Sequence, residues 1–265
     1  MLHSSLVVDA GCGSALGYSF IKTWERKEDM ADRHERNYPG LPIDQKESYK
    51  WIAATNQSKS LLKQAASMTI IADREGDIYD LLANIDEKKV NLLIRSNFDR
   101  RIAGGIKLTD YLSSLPVLDQ YTLSIRGDVR KNILKRTATL ELKWGKVSLV
   151  RPKKSIDKKQ PAFTEIFVLE AKEKGVDKGI YWRLLTTHEI NCQQDALQII
   201  EWYKQRWHIE QIHRLLKTDG FRIERSQLEQ GWAIRKLTLM AMMATLRILQ
   251  MMLAYEDDHE QSIDE

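Results

Sequence analysis

Residues 194–218 read Gln194-Asp-Ala-Leu-Gln-Ile-Ile-Glu-Trp-Tyr203-Lys-Gln-Arg206-Trp-His-Ile-Glu210-Gln-Ile-His213-Arg-Leu-Leu-Lys217-Thr218. At about 100° per residue, Trp202, Ile209, Ile212, Leu215 and Leu216 fall on one broad apolar face, which predicts a single amphipathic helix over the stretch. Tyr203, Arg206, Glu210, His213 and Lys217 fall on a neighbouring stripe about 80° wide, at the border of the core face. An aromatic hydroxyl, a guanidinium, a carboxylate, an imidazole and an ammonium therefore point to one region. A carboxylate can hold Mg²⁺ while flanking cations and the phenol meet phosphate oxygens, so this mixture suits phosphodiester chemistry. The plain alternative is an i,i+4 salt-bridge ladder on a solvated face, which Arg206, Glu210 and His213 could equally form.

Upstream of this stretch, Met68-Thr-Ile-Ile-Ala72 is a short apolar run of the kind a buried strand needs, and it ends at Asp73. Ser5–Asp9, Gly17–Trp24 and Val90–Arg95 also read as strands, Glu47–Ala66 and Asp77–Asn84 as helices. Between Leu118 and Thr187 the texture changes to short strands, at 121–125, 138–142, 147–150, 163–169 and 180–185, separated by basic turns. The chain then returns to helix and ends in the acidic run Glu256-Asp-Asp-His-Glu260. The expected organisation is an α/β core over 1–112, an inserted all-β subdomain over 113–188, further core helices over 189–255 and an acidic tail over 256–265.

The 265 residues can bury a sizeable core. The net charge of +4 leans weakly towards an anionic partner such as nucleic acid. Two cysteines, Cys12 and Cys192, in no CxxC or Cys/His cluster, fit a reducing cytoplasm and argue against structural zinc. No basic and apolar leader opens the sequence. The run Leu237–Leu253 is long enough to raise the question of a membrane span, but Arg247 and Gln250 within it favour a Met- and Leu-rich core helix. The expectation is a cytoplasmic protein with no membrane partner.

The spacing Tyr203-x2-Arg206-x3-Glu210-x6-Lys217 resembles the Tyr-Arg-Glu-Lys signature of a large family of bacterial insertion-sequence DDE transposases. Ala72-Asp73-Arg74-Glu75-Gly76-Asp77-Ile78 resembles that family's second-aspartate motif, and Lys46-Glu-Ser-Tyr-Lys-Trp51 the start of its preceding helix. The resemblance covers nearly the whole chain at scattered but ordered positions. It implies an RNase H-like (retroviral integrase-like) core carrying an inserted all-β subdomain. It also implies metal-dependent cleavage and strand transfer at transposon ends, with double-stranded inverted-repeat DNA as partner and a homodimer on that DNA.

Carried over residue by residue, the resemblance makes Asp73 and Glu210 catalytic metal ligands in a two-Mg²⁺ site. Tyr203, Arg206 and Lys217 are similar to contacts with phosphates at the transposon end. Arg95 resembles a DNA-contacting arginine, with a solvated strand-end charge as its alternative. Trp207 and Trp182 stand where relatives stack on or replace a flipped base, although a core role is equally open for Trp182. His213 shares the stripe and contacts DNA, pairs with Glu210 or packs there.

The departure lies at the first aspartate. Only one convincing strand, Gly17–Trp24, separates Asp9 from the helix beginning at Glu47, so Asp9 falls on the second strand of such a core. The expectation is that the first strand and its aspartate lie outside this sequence, leaving the metal site a ligand short. Three readings then compete: an incomplete transposase core, a catalytically inactive DNA-binding fragment or inhibitor of transposition, and an unrelated metal-dependent nuclease on the same kind of core.

Overall fold

The computed structural model describes residues 1–24, 41–85, 88–125, 135–153 and 160–261, with backbone alone at 218–219 and 256–261. The chain forms two compact units, one of Met1–Ala31, Ala53–Lys63 and Lys204–Glu265, the other of Asp32–Ile52 and Gln64–Tyr203.

The first unit opens with an antiparallel hairpin of β1 (Leu2–Val8) and β2 (Ala15–Thr23). Its turn is closed by Asp9, whose Oδ1 accepts the Gly11 and Cys12 amides at 2.8 and 3.0 Å, and by Gly13 at φ +73°, where a glycine is favoured. The Cys12 and Gly11 amides hold the Asp9 carboxyl below its ordinary value. Helix α5 (Trp207–Arg214), a π turn over Leu215–Asp219 and the long helix α6 (Gly231–Gln261) complete the unit with part of α1 (Tyr49–Leu61). Its core gathers Ala15, Ile212, Leu216, Ala241, Met242 and Leu249. Helix α6 is long and apolar enough to cross a membrane by length and composition, but Ala241, Met242, Thr245 and Leu249 are buried on one side of it.

The second unit is built on a six-stranded sheet, ordered β3 (Met68–Ala72), β4 (Val90–Arg95), β8 (Tyr181–Thr186), β7 (Phe163–Glu173), β6 (Arg136–Val150), β5 (Asp119–Ile125). Strands β3 and β4 run parallel and every other pair antiparallel. Side chains alternate between the faces. Leu92 and Ile94 enter the cluster formed with α2 (Tyr79–Ala83) and α3 (Leu108–Ser114), whereas Leu93 joins the cluster formed with α4 (Gln193–Gln205). Burial on both faces explains the apolar run Leu92–Ile94 of β4, whereas β3, at the sheet edge, is half-buried except at Ala72.

Two differences from the sequence reading concern the β-rich stretch. Its strands share one sheet with β3 and β4, through the pairing of Leu93 with Thr186. The segments 138–142 and 147–150 are one strand, because Lys143–Lys146 stays paired with Phe167–Glu170. Gly145 lacks the Cβ that would strike the Tyr111 hydroxyl, so α3 can lie against the strand there.

At the far end of β7, Glu173 is buried, binds the Arg136 guanidinium through both oxygens and accepts the Ile180 amide at 2.9 Å. The Arg136 hydrogen bond, then the Ile180 amide, pull its pKa to about 2. A carboxyl lowered on folding stabilises the fold above its unfolded pKa, about 4.3. Urea titrations are expected to show this contribution lost progressively from pH 4.3 towards 2, with a flatter profile for Glu173→Gln over that window.

Candidate active site

Asp73 is the first residue after β3 and is half-buried. Its Oδ1 accepts the Glu75 amide at 2.9 Å and so caps the 3₁₀ turn Arg74–Gly76. Oδ2 has no hydrogen-bond partner among the described residues, so one carboxylate oxygen is held by its own turn and the other is available. Gly76 allows the turn to close: a Cβ there would sit 2.5 Å from the Ala72 Cβ and 3.6 Å from the Trp51 ring. The ring of Trp51 thus covers the turn, and Lys50 pairs with Glu75 at 2.9 Å beside it.

A second carboxylate fixes this turn from beneath. Asp77 is buried, and its Oδ2 accepts the Asn97 and Phe98 amides at 2.7 and 3.1 Å. The Arg100 Nε donates to Oδ1 at 2.8 Å, and Nη2 donates to Oδ1 at 2.5 Å and to the Asp77 carbonyl at 2.8 Å. The turn that carries Asp73 is therefore tied to the loop leaving β4. Sequence reading missed this pair, taking Asp77 only as a helix start. The signal available was a second aspartate four residues after Asp73 with an arginine shortly after the next strand.

Arg95 ends β4 half-buried and donates from Nη2 to the Tyr181 carbonyl at 2.8 Å. Arg183, on β8, donates to the Thr109 hydroxyl at 2.8 Å and the Phe98 carbonyl at 3.2 Å. With Phe98 exposed on the intervening loop, this rim holds two guanidinium groups and an open aromatic ring, of which only Arg95 was singled out from sequence. Trp182 packs edge-on against Tyr203, ring centroids 5.7 Å apart. Tyr203 is 3% exposed, deeper than the border position expected from the helical stripe.

The helix expected over 194–218 is divided. Helix α4 ends at Gln205, Arg206 forms a turn with right-handed helical angles (φ −53°, ψ −25°), and α5 follows. The end unwinds into the π turn because the Gly220 and Phe221 amides both reach the Leu215 carbonyl, the latter at 2.9 Å. A Cβ on Gly220 would lie 2.6 Å from that carbonyl oxygen.

Within the first unit, Arg206 Nη1 binds Glu210 Oε1 at 2.6 Å. Trp207 is exposed, and Lys217 Nζ reaches Glu224 Oε1 at 3.3 Å. His213 is half-buried: burial first, then the Lys217 charge, lowers its pKa, against an opposing pull from Glu210. A pKa below the ordinary histidine value favours the neutral imidazole at neutral pH. His213 and Lys217 also line an approximately 890 Å³ cavity with Leu216, Ile223 and Ile234. Asp73, Arg95, Trp182 and Tyr203 belong to the second unit; Arg206, Trp207, Glu210, His213 and Lys217 belong to the first.

As metal donors, Asp73 and Glu210 are hard carboxylate oxygens of the class Mg²⁺ takes. Among the described residues no group of three or more His, Cys, Asp or Glu side chains is gathered for an ion. The donor chemistry fits a divalent ion, but the donor number does not complete a site. A sequence model of a known family, described as Transposase DDE domain, matches residues 24–247.

Proposed function

Because the chain belongs to the transposase DDE-domain family and so has a role in transposition, we propose that it is the catalytic core of an insertion-sequence transposase of the Tyr-Arg-Glu-Lys type. In this reading it acts on double-stranded DNA at the inverted-repeat ends of its element. The family implies an RNase H-like fold and use of a divalent metal. Asp73 and Glu210 are its carboxylate ligands, with Mg²⁺ the ion. Arg206, Lys217 and Arg95 bind phosphates, Tyr203 and Trp182 brace one another within the second unit, and Trp207 and His213 meet bases or sugar-phosphate. The observation that carries the reading is Asp73 itself, capping its own turn at the end of a strand with one oxygen uncommitted. Bound divalent ions in this chemistry activate the attacking oxygen and stabilise the leaving one.

The third carboxylate comes, in this proposal, from a further strand outside the described residues. Strand β3 pairs with β4 alone, and β1 with β2 alone, so each presents one edge without a partner among the described residues. The second reading is a catalytically inactive DNA-binding fragment or inhibitor that occupies ends without cutting them.

The two are separated by assaying nicking of inverted-repeat DNA with and without Mg²⁺. Mg²⁺-dependent nicking at the ends, lost in Glu210→Gln, is the expected result. Salt-sensitive end binding without nicking supports the inhibitor. Cutting of arbitrary DNA or RNA with no preference for ends overturns both.

A further inference from the structure

The rim at the end of the parallel strands carries an aromatic ring that the fold leaves open. Ala72 of β3 stands beside Ile94 of β4, so Asp73 and the loop 96–99 leave the same end of the sheet. Phe98 on that loop is 54% exposed, although a phenyl ring usually buries. Its backbone is fixed on both sides. The amide donates to Asp77 Oδ2 at 3.1 Å, and the carbonyl accepts the Ser96 hydroxyl at 3.0 Å and Arg183 Nη2 at 3.2 Å. The buried Arg100 guanidinium lies over the ring, 5.4 Å from its centroid. Trp182, by contrast, is half-buried and packed against Tyr203.

We propose that Phe98 is a stacking platform for the base pair uncovered where the DNA is cut, an inference that rests on the transposase reading above. Inside a duplex each base is covered by its neighbours, and a break or a blunt end uncovers one face. An aromatic ring accepts any such face, because every base has a π surface. Phe98 stands among Arg95, Asp99 and Arg183 rather than in an apolar patch, which favours a stacked base over a protein partner. The acidic member, Asp99, is already paired with Lys107 at 3.5 Å and accepts the Thr109 amide and hydroxyl at 2.9 and 2.8 Å. Each guanidinium carries five N–H donors, so Arg95 and Arg183 keep donors for a backbone phosphate beyond those spent on the fold.

Asp77 gives the platform its place. Its carboxylate holds the Phe98 amide, and its own position follows the turn that Asp73 caps, so the ring and the proposed metal ligand share one frame. A ring held this way loses little freedom on stacking, which leaves more of the contact as affinity. The consequence is a preference of opposite sign to that expected from charge. Removing the flanking DNA removes phosphates and weakens a purely electrostatic contact. Stacking on the uncovered pair strengthens binding instead, by roughly tenfold for one stacked base.

Fluorescence anisotropy without Mg²⁺ tests this with no need of catalysis. It compares an inverted-repeat duplex running on into flanking DNA with the same duplex ending at the element's boundary. The full chain is expected to bind the ended duplex roughly tenfold more tightly and to quench 2-aminopurine placed at its terminal position. Phe98→Ala is expected to lose both the preference and the quenching, and Phe98→Trp to keep both. Phe98→Leu, which keeps apolar bulk without a π face, is expected to lose both. Thermal melts by circular dichroism check that all three variants fold as the unaltered chain does. Preference or quenching that survives in Phe98→Ala overturns the proposal, as does a Phe98→Leu chain that behaves like Phe98→Trp. Equal binding of the two duplexes by the unaltered chain also overturns it and leaves the transposase reading standing. Equal binding of inverted-repeat and unrelated DNA overturns that reading as well.

Discussion

Glu210→Gln is expected to remove end cleavage while tightening DNA binding, two effects of opposite sign from one substitution. Glutamine keeps the shape of the side chain and removes its charge. Loss of an outer-shell partner of a metal ligand typically costs roughly 10–100-fold. On the proposed assignment of Glu210 as a ligand, its replacement is therefore expected to lower Mg²⁺-dependent nicking by more than about 100-fold. Binding moves the other way because Glu210 now holds Arg206 at 2.6 Å. With the carboxylate neutral, the charge that competes with a phosphate for that guanidinium is removed. The dependence of log K on log salt then steepens by about 0.9 for each added phosphate contact. The fold is not at stake, since the pair is a helix-surface i,i+4 bridge with Glu210 41% exposed, a class that contributes little stability. Fluorescence anisotropy at several salt concentrations reads binding, and a nicked-circle assay reads cleavage. Cleavage that survives removes Glu210 from the ligand set. Weaker binding would mean that the carboxylate orients Arg206 for DNA rather than competing with it.

The sequence made legible what depends on periodicity and spacing. Strands β3 and β4 were readable from their apolar runs, and the apolar face of the late helix from its 3.6-residue repeat. The family was readable because Tyr203, Arg206, Glu210 and Lys217 keep a fixed spacing in the sequence. What stayed hidden depends on contacts between distant positions. Nothing local in Lys143–Lys146 says that the strand continues, since that is decided by its partner Phe167–Glu170 and by the missing Cβ of Gly145 against Tyr111. The π turn at 215–219 follows from the close approach of the Gly220 backbone to the Leu215 carbonyl, whereas periodicity alone continues the helix. Tyr203 looked like a border residue at its helical angle, but its depth is set by the packing of Trp182 and the surrounding core. Asp77 and Arg100 were invisible for the same reason: in the linear chain both look like ordinary surface charges.

That pair is the most vulnerable point among the groups described around Asp73. Asp77→Ala is expected to destabilise the second unit by about 3–5 kcal/mol, the range for removing one partner of a buried ion pair. The cost arises because Arg100, with its side chain 7% exposed, loses its carboxylate, and the Asn97 and Phe98 amides lose their acceptor. For a unit of this size, the midpoint of thermal unfolding should fall by roughly 6–20 °C. Asp77→Leu combined with Arg100→Met should recover much of that loss, since an apolar pair of similar volume leaves no buried charge uncompensated. The two amides would still lack their acceptor, so the recovery stays incomplete. The consequence reaches the candidate site through the turn. In a pseudo-wild-type background stable enough to stay folded, hydrogen exchange at the Glu75, Asn97 and Phe98 amides should accelerate in Asp77→Ala well before exchange in β6 and β7. Uniform acceleration across the sheet would show that Asp77 holds the whole unit together rather than the Asp73 turn. Unchanged thermal unfolding would show that Arg100 finds another partner, and Asp77 would then have no special claim on the position of Asp73.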